Sequence, residues 1–165
     1  MGEAEFGLIN GVLSTSAGWI GEVEVVEVEF DPARVSYAQL LKEAVQRECA
    51  LRVFPRDDAQ LAISRASVGD AAERSDAEVR RVSDQKYYLA QTSLRFVPMT
   101  RVQATRINAD IEHAAQYLSP RQRRILAAAT ADPDGWQDCI DRRMIHAWNA
   151  AWARANDTQA SNATR

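Results

Sequence analysis

Nine consecutive residues, Glu22-Val23-Glu24-Val25-Val26-Glu27-Val28-Glu29-Phe30, constrain the fold of this chain more than any other stretch. Their alternation of apolar and acidic side chains predicts a β-strand with one dry face. Asp31-Pro32 ends it, because proline has no N–H to continue a ladder. A helix with complete start signals follows. Ser36 is a capping residue with Gln39 three positions on, Val35 and Leu40 are spaced as a hydrophobic staple, and Tyr37, Leu40, Leu41, Ala44 and Val45 form one apolar stripe. The helix is expected to run to about Cys49.

Period two places Glu22 and Glu24 on the face of Val26, Val28 and Phe30, with Val23, Val25, Glu27 and Glu29 on the other. In a regular strand the apolar row that meets the core therefore continues into two carboxylates. A carboxylate at a core margin is costly unless bonded or protonated, and desolvation raises its pKa toward that of a proton donor. A β-bulge at Val25-Val26, or an early strand end, would instead return every glutamate to solvent. Periodicity leaves both readings open.

Elsewhere the elements follow from shorter signals. Residues 3–9 read as an opening helical turn or two, residues 12–19 as a strand, and Gly21 as a tight connection. Residues 57–68 read as helix, 69–85 as polar loop and 94–97 as a short strand closed by Pro98. Thr100 with Gln103 repeats the capping box and opens a helix with Ala104, Ile107, Ile111, Ala114 and Leu118 on one face. Ser119-Pro120 with Gln122 restarts a helix, with proline at its first position. Trp136, Ile140, Met144, Trp148 and Trp152 recur every four residues and predict a core-facing last helix, with a frayed end from residue 156. Early strands, a crossover helix and later helices together predict a two-layer α/β (α+β) domain. Its expected parts are residues 1–118, a packed helical extension over 119–155 and a disordered tail over 156–165.

With 165 residues, 46% of them hydrophobic and 26% charged, the chain is long enough for one domain with its own core. A net charge of −3 argues against a nucleic-acid surface. No apolar run reaches the roughly 20 residues of a membrane span, and the N-terminus lacks a signal-peptide pattern, so a cytoplasmic protein is expected. Cys49 and Cys139, His113 and His146 have no ligand spacing, so no metal is expected.

Three groups of residues carry a family likeness. Glu3-Ala4-Glu5-Phe6 with Gly11-Val12-x-Ser14-Thr15-x-x-Gly18-Trp19 resembles the stretch after the Gly-Cys-Phe-Trp motif of A-type peptide methionine sulfoxide reductases. Glu24-x-Val26-x-Val28-x-Phe30-Asp31-Pro32-x-x-Val35-Ser36-Tyr37-x-x-Leu40-Leu41 is similar to that family's His-x-Glu strand, Asp-Pro stop and following helix. Gln91 and Pro98-Met99-Thr100-x-x-Gln103 resemble its last strand and helix. The likeness implies a ferredoxin-like sandwich. It also implies a cysteine thiolate that attacks the sulfoxide sulfur and becomes a sulfenic acid, later reduced by thioredoxin or another dithiol. No cofactor is implied. The proton donor to the sulfoxide oxygen would be Glu24, which favours the inward-facing reading of that side chain.

The chain also departs from the family pattern. The Cys-Phe-Trp run would fall just before Met1, the loop between the first strands is cut to Ile20-Gly21, and Glu22 occupies the histidine position. The expectation is a chain inactive by itself, its nucleophile, cysteine or selenocysteine, lying upstream of Met1. The catalytic candidates are then Glu24, Tyr87 (in place of lost hydroxyls) and Cys49 as a relay thiol. Trp19, Glu3 and Gln91 would contact the substrate, an oxidised methionine or a related small sulfoxide. The rival expectation is a non-catalytic binding module or pseudoenzyme on the same scaffold.

Overall fold

The computed structural model describes residues 2–140 and 142–163. It is a mixed α and β structure built on a three-stranded antiparallel sheet of order β2-β1-β3. β1 (Val12–Ile20) and β2 (Val23–Phe30) form a hairpin, and β3 (Arg80–Arg81) pairs with the far end of β1. The hairpin turns at Gly21, whose φ of 58° lies in the left-handed region that glycine enters without steric cost.

β2 is paired without interruption from Val23 to Glu29, and no bulge occurs at Val25-Val26. The irregularity sits on the other strand, between Val12 and Ser14. Glu24, Val26, Val28 and Phe30 therefore do share a face. Helix α1 (Gly2–Gly7) lies on that face: a side-chain carbon built on Gly2 would meet Val26 Cγ2 at 2.6 Å. α1 also packs on α5 (Arg101–Ala109), where a carbon on Gly7 would come within 2.7 Å of the Thr105 carbonyl oxygen. Val12, Val35 and Leu40 close the other end of the sheet face with Ile9, Val28 and Phe30, so the staple pair is buried as its spacing predicts.

α2 (Tyr37–Gln46) has the expected capping box at Ser36. It ends three residues before Cys49 because Glu48 turns left-handed, with φ 57°, and the Cys49 N–H folds back to the Ala44 carbonyl at 2.8 Å. α3 (Asp58–Val68) is capped by Asp57 and tied to α2 by the Tyr37 hydroxyl and Ser64 Oγ at 2.7 Å.

Four expectations are corrected in the second half. Residues 94–97 are not a strand. The Thr92 hydroxyl accepts from the Leu94 N–H, and residues Ser93–Phe96 wind into a 3-10 turn. α5 stops at Ala109 instead of running to Leu118, because Asp110 leaves helical geometry and gathers His113, Gln116 and Tyr117 on its carboxylate. α6 (Pro120–Ala131) keeps its predicted start at Ser119. The last helix, α7 (Met144–Ala163), begins after Trp136 and Ile140, whose segment spends its backbone donors elsewhere: Cys139 N–H on the Arg95 carbonyl and Ile140 N–H on the Asp138 carboxylate. It also continues past residue 156, where fraying was expected. The main core joins α4 (Tyr87–Ala90), α5, α6 and α7 through Leu89, Ile107, Leu118, Ile125, Ala151 and Ala155. Trp136, Ile140, Trp148 and Trp152 pack against it, so one cluster draws on both sides of residue 118. Among the described residues, no helix is long and apolar enough to cross a membrane.

Candidate functional site

The strand register brings two of the candidates together. Trp19 lies directly opposite Glu24 on β2 and opposite Arg80 on β3, so the three residues form one row across the sheet, on the face that carries α1. Directly opposed side chains on a sheet lie within contact distance, roughly 5 Å between Cβ atoms. Trp19 is half-buried, while Glu24 and Arg80 are exposed. The inward placement expected of Glu24 is thus corrected. It sits on the predicted face, but past the point where α1 covers that face, so water reaches it.

The other glutamates of the strand are occupied. Glu27 takes Arg56 at 2.9 Å and Arg81 at 3.4 Å, and Glu29 takes Arg101 at 2.9 Å and the Ser14 hydroxyl at 2.9 Å. Glu24 makes no hydrogen bond or ion pair with any described residue, nor does the side chain of Arg80. A carboxylate on the strand's apolar face with no internal partner is available for chemistry or for a ligand.

Glu3 is occupied internally. Its carboxylate is buried and accepts from Lys86 Nζ at 2.6 Å and from the Lys86 N–H at 2.8 Å. Lys86 Nζ also donates to the Thr15 carbonyl, and its backbone is left-handed with φ 54°. The preceding residue completes the same edge. Gln85 Nε2 donates to the Ala17 carbonyl at 2.7 Å, and its Oε1 accepts from the Ala17 N–H at 3.1 Å. The Gln85 amide thus imitates a neighbouring strand where β3 has ended. Neither Gln85 nor Lys86 is marked out by sequence pattern, because both lie in a polar stretch without periodicity.

Tyr87 follows Lys86 at the start of α4. It is exposed, with its ring edge-on to Tyr88 at 5.6 Å. Gln91 caps the end of that short helix and is also exposed. Neither joins the Glu24 row through a hydrogen bond. Cys49 is exposed beyond α2, behind Arg47, which bridges Glu43 and Glu5 of α1. Partial burial and the Glu5 charge push its thiol above the ordinary range, against the opposing pull of Arg47. Cys139 is buried, and desolvation with the neighbouring Asp138 pushes it up to about 11. Both thiols are therefore mostly protonated near neutral pH and weak nucleophiles. Among the described residues, no three His, Cys, Asp or Glu side chains gather as a metal-binding group.

No family model matches the chain. Over 57 residues it is 42% identical to the peptide methionine sulfoxide reductase MsrA of Geobacter metallireducens, an alignment that covers 24% of this chain and 35% of that protein. The chain thus spans about a third of that relative's length and bears a distant, local likeness to it.

Proposed function

We propose that this chain carries the scaffold of a peptide methionine sulfoxide reductase-like oxidoreductase, a ferredoxin-like sandwich with residues 119–155 as its helical extension. In this reading Glu24 protonates the sulfoxide oxygen of an oxidised methionine or related small sulfoxide, and Trp19 beside it forms one wall of the methyl site. The nucleophile, a thiol or selenol, belongs at the N-terminal end of α1. The observation that supports the reading is that α1 begins on the sheet face that carries Glu24, against Val26. The reading requires that the exposed carboxylate of Glu24 be covered and desolvated before it serves as an acid near neutral pH.

The balance of the reaction is that of a thiol oxidation. The nucleophile's sulfur or selenium attacks the sulfoxide sulfur, the oxygen leaves with that atom as a sulfenic or selenenic acid, and thioredoxin or another dithiol reduces it. The test is genetic and then enzymatic. An in-frame TGT, TGC or TGA codon just before the Met1 codon supports the reading, and unrelated codons there overturn it. The chain extended by those residues should reduce methionine sulfoxide with a dithiol, and Glu24→Gln should abolish turnover.

One observation favours a second reading. Both cysteines of the chain are held above the ordinary thiol range, which makes each a weak nucleophile near neutral pH. A non-catalytic module that binds a sulfoxide or a partner at the Glu24–Trp19–Arg80 row predicts no turnover from either form of the chain.

A further inference from the structure

Where β3 and Gln85 stop covering the edge of β1, a cavity of about 660 Å³ opens between Ser14–Ser16, the start of α5 and the segment that leads into α7. Its size is within the range of small-molecule sites. Neither Glu24 nor Trp19 lines it, so it is separate from the row described above.

Its charge is one-sided. Arg81, Lys86, Arg101, Arg142 and Arg143 line it, and no aspartate or glutamate among the described residues does. Three of these cations are neutralised by carboxylates outside the lining: Arg81 by Glu27, Lys86 by Glu3 and Arg101 by Glu29. Arg142 is held only by the neutral Gln137 Oε1, at 2.8 Å, and the Arg143 side chain has no partner among the described residues. Among the described residues, no carboxylate compensates these two positive charges.

Two further features point to bound oxygen atoms. The capping box of α5 satisfies the Gln103 and Thr100 N–H groups, but those of Arg101 and Val102 have no intrahelical acceptor. Thr100 and Arg101 both line the cavity, so the positive end of the α5 dipole borders it. Independently, Thr15, only 1% exposed, lines the cavity, and its Oγ1 is buried without a hydrogen-bond partner. An unpaired buried hydroxyl is costly, and a ligand oxygen would relieve it. The remaining wall is apolar, formed by Leu89, Val97, Met99 and Met144.

We propose that this cavity binds a small organic anion, with a carboxylate or phosphate head toward Arg142, Arg143 and Thr15 and a short apolar body against Leu89, Val97 and Met99. The site stands on its own observations and does not depend on the reductase reading.

Hexanoate, hexyl phosphate, neutral hexanamide and inorganic phosphate are titrated into the full chain by calorimetry and thermal unfolding. Hexanoate or hexyl phosphate is expected to bind and raise Tm, and the tighter of the two identifies the head group. Hexanamide and inorganic phosphate should bind at least about tenfold more weakly, since charge-assisted contacts and apolar burial each contribute on that scale. Arg142→Gln with Arg143→Gln, both exposed side chains, should weaken binding about tenfold without loss of fold. Thr15→Val should keep or raise stability yet lower affinity several-fold. Equal binding of hexanamide and hexanoate, binding of inorganic phosphate as tight as that of the hexyl anions, or unchanged affinity in the double arginine variant would overturn the proposal.

Discussion

Lys86 and Glu3, 83 residues apart, form a buried ion pair in which one lysine supplies both its ammonium and its backbone N–H to the two oxygens of one carboxylate. The pair ties α1 to the start of α4 and, through the Thr15 carbonyl, to the middle of β1. A buried ion pair gains little over well-packed apolar groups, but removing one partner strands the other charge away from water.

Lys86→Met should therefore destabilise the chain by about 3–5 kcal/mol, while the double variant Lys86→Met with Glu3→Leu should recover part of that loss. Urea unfolding of the two single variants and the double measures the coupling. A loss in the double variant equal to the sum of the two single losses would show that the pair does not act as a unit.

Gln85 should be the next most sensitive position on that edge. Its side chain holds both backbone groups of Ala17 and also donates to the Val82 carbonyl at 2.9 Å. Gln85→Ala leaves these groups unpaired in a partly buried setting, a loss of roughly 1–3 kcal/mol. Hydrogen exchange at the Ala17 amide should accelerate with it. Gln85→Glu retains the acceptor but loses the donor, so it should protect that amide while still destabilising the edge.

The two thiols should separate in reactivity. Cys49 is exposed and Cys139 buried, and with the latter near pKa 11 only about one molecule in a thousand carries its thiolate at pH 8. A chromogenic disulfide reagent should modify Cys49 first and Cys139 only on unfolding. Cys49 labelling should itself be slower than that of a free thiol and should quicken in Glu5→Gln, which removes a charge that opposes the thiolate.

The cluster after α5 predicts a pH window. His113 Nδ1 lies 2.7 Å from Asp110 Oδ1, and that bond raises the imidazole above its ordinary 6.5 while holding the carboxyl below its ordinary 3.8. A raised histidine contributes stability that is full below 6.5 and is lost as pH rises through the folded value. A depressed carboxyl contributes stability that is full above 3.8 and is lost as pH falls through its folded value. The pair is therefore fully effective between these limits. The Tm gap between the native chain and His113→Ala should be widest near pH 5 and should close well above 6.5 and at strongly acid pH.

The elements written in local chemistry were legible from residues alone. Ser36, Thr100 and Ser119 each start a helix with the reciprocal glutamine bond their spacing predicts, because a capping box is complete within four residues. The alternation from Val23 to Glu29 marks a strand but leaves a bulge at Val25-Val26 open, and the uninterrupted pairing of β2 decides which glutamates share a face. How exposed those faces are depends on what packs above them, and that is a property of distant chain segments. Glu24 lies on the predicted face but in water, because α1 covers Val26 and stops short of it. The same distinction explains α5, the segment at 94–97 and the late start of α7. Their apolar spacing fits longer regular elements, but Asp110, Thr92 and Asp138 bond to nearby backbone or side-chain groups and end them. Only the tertiary structure brings Lys86 and Gln85 to β1, and only it gathers five cations and an unpaired threonine hydroxyl around one cavity. Long-range pairing leaves no local trace, since the groups that satisfy one another are set by chain geometry and not by spacing along the sequence.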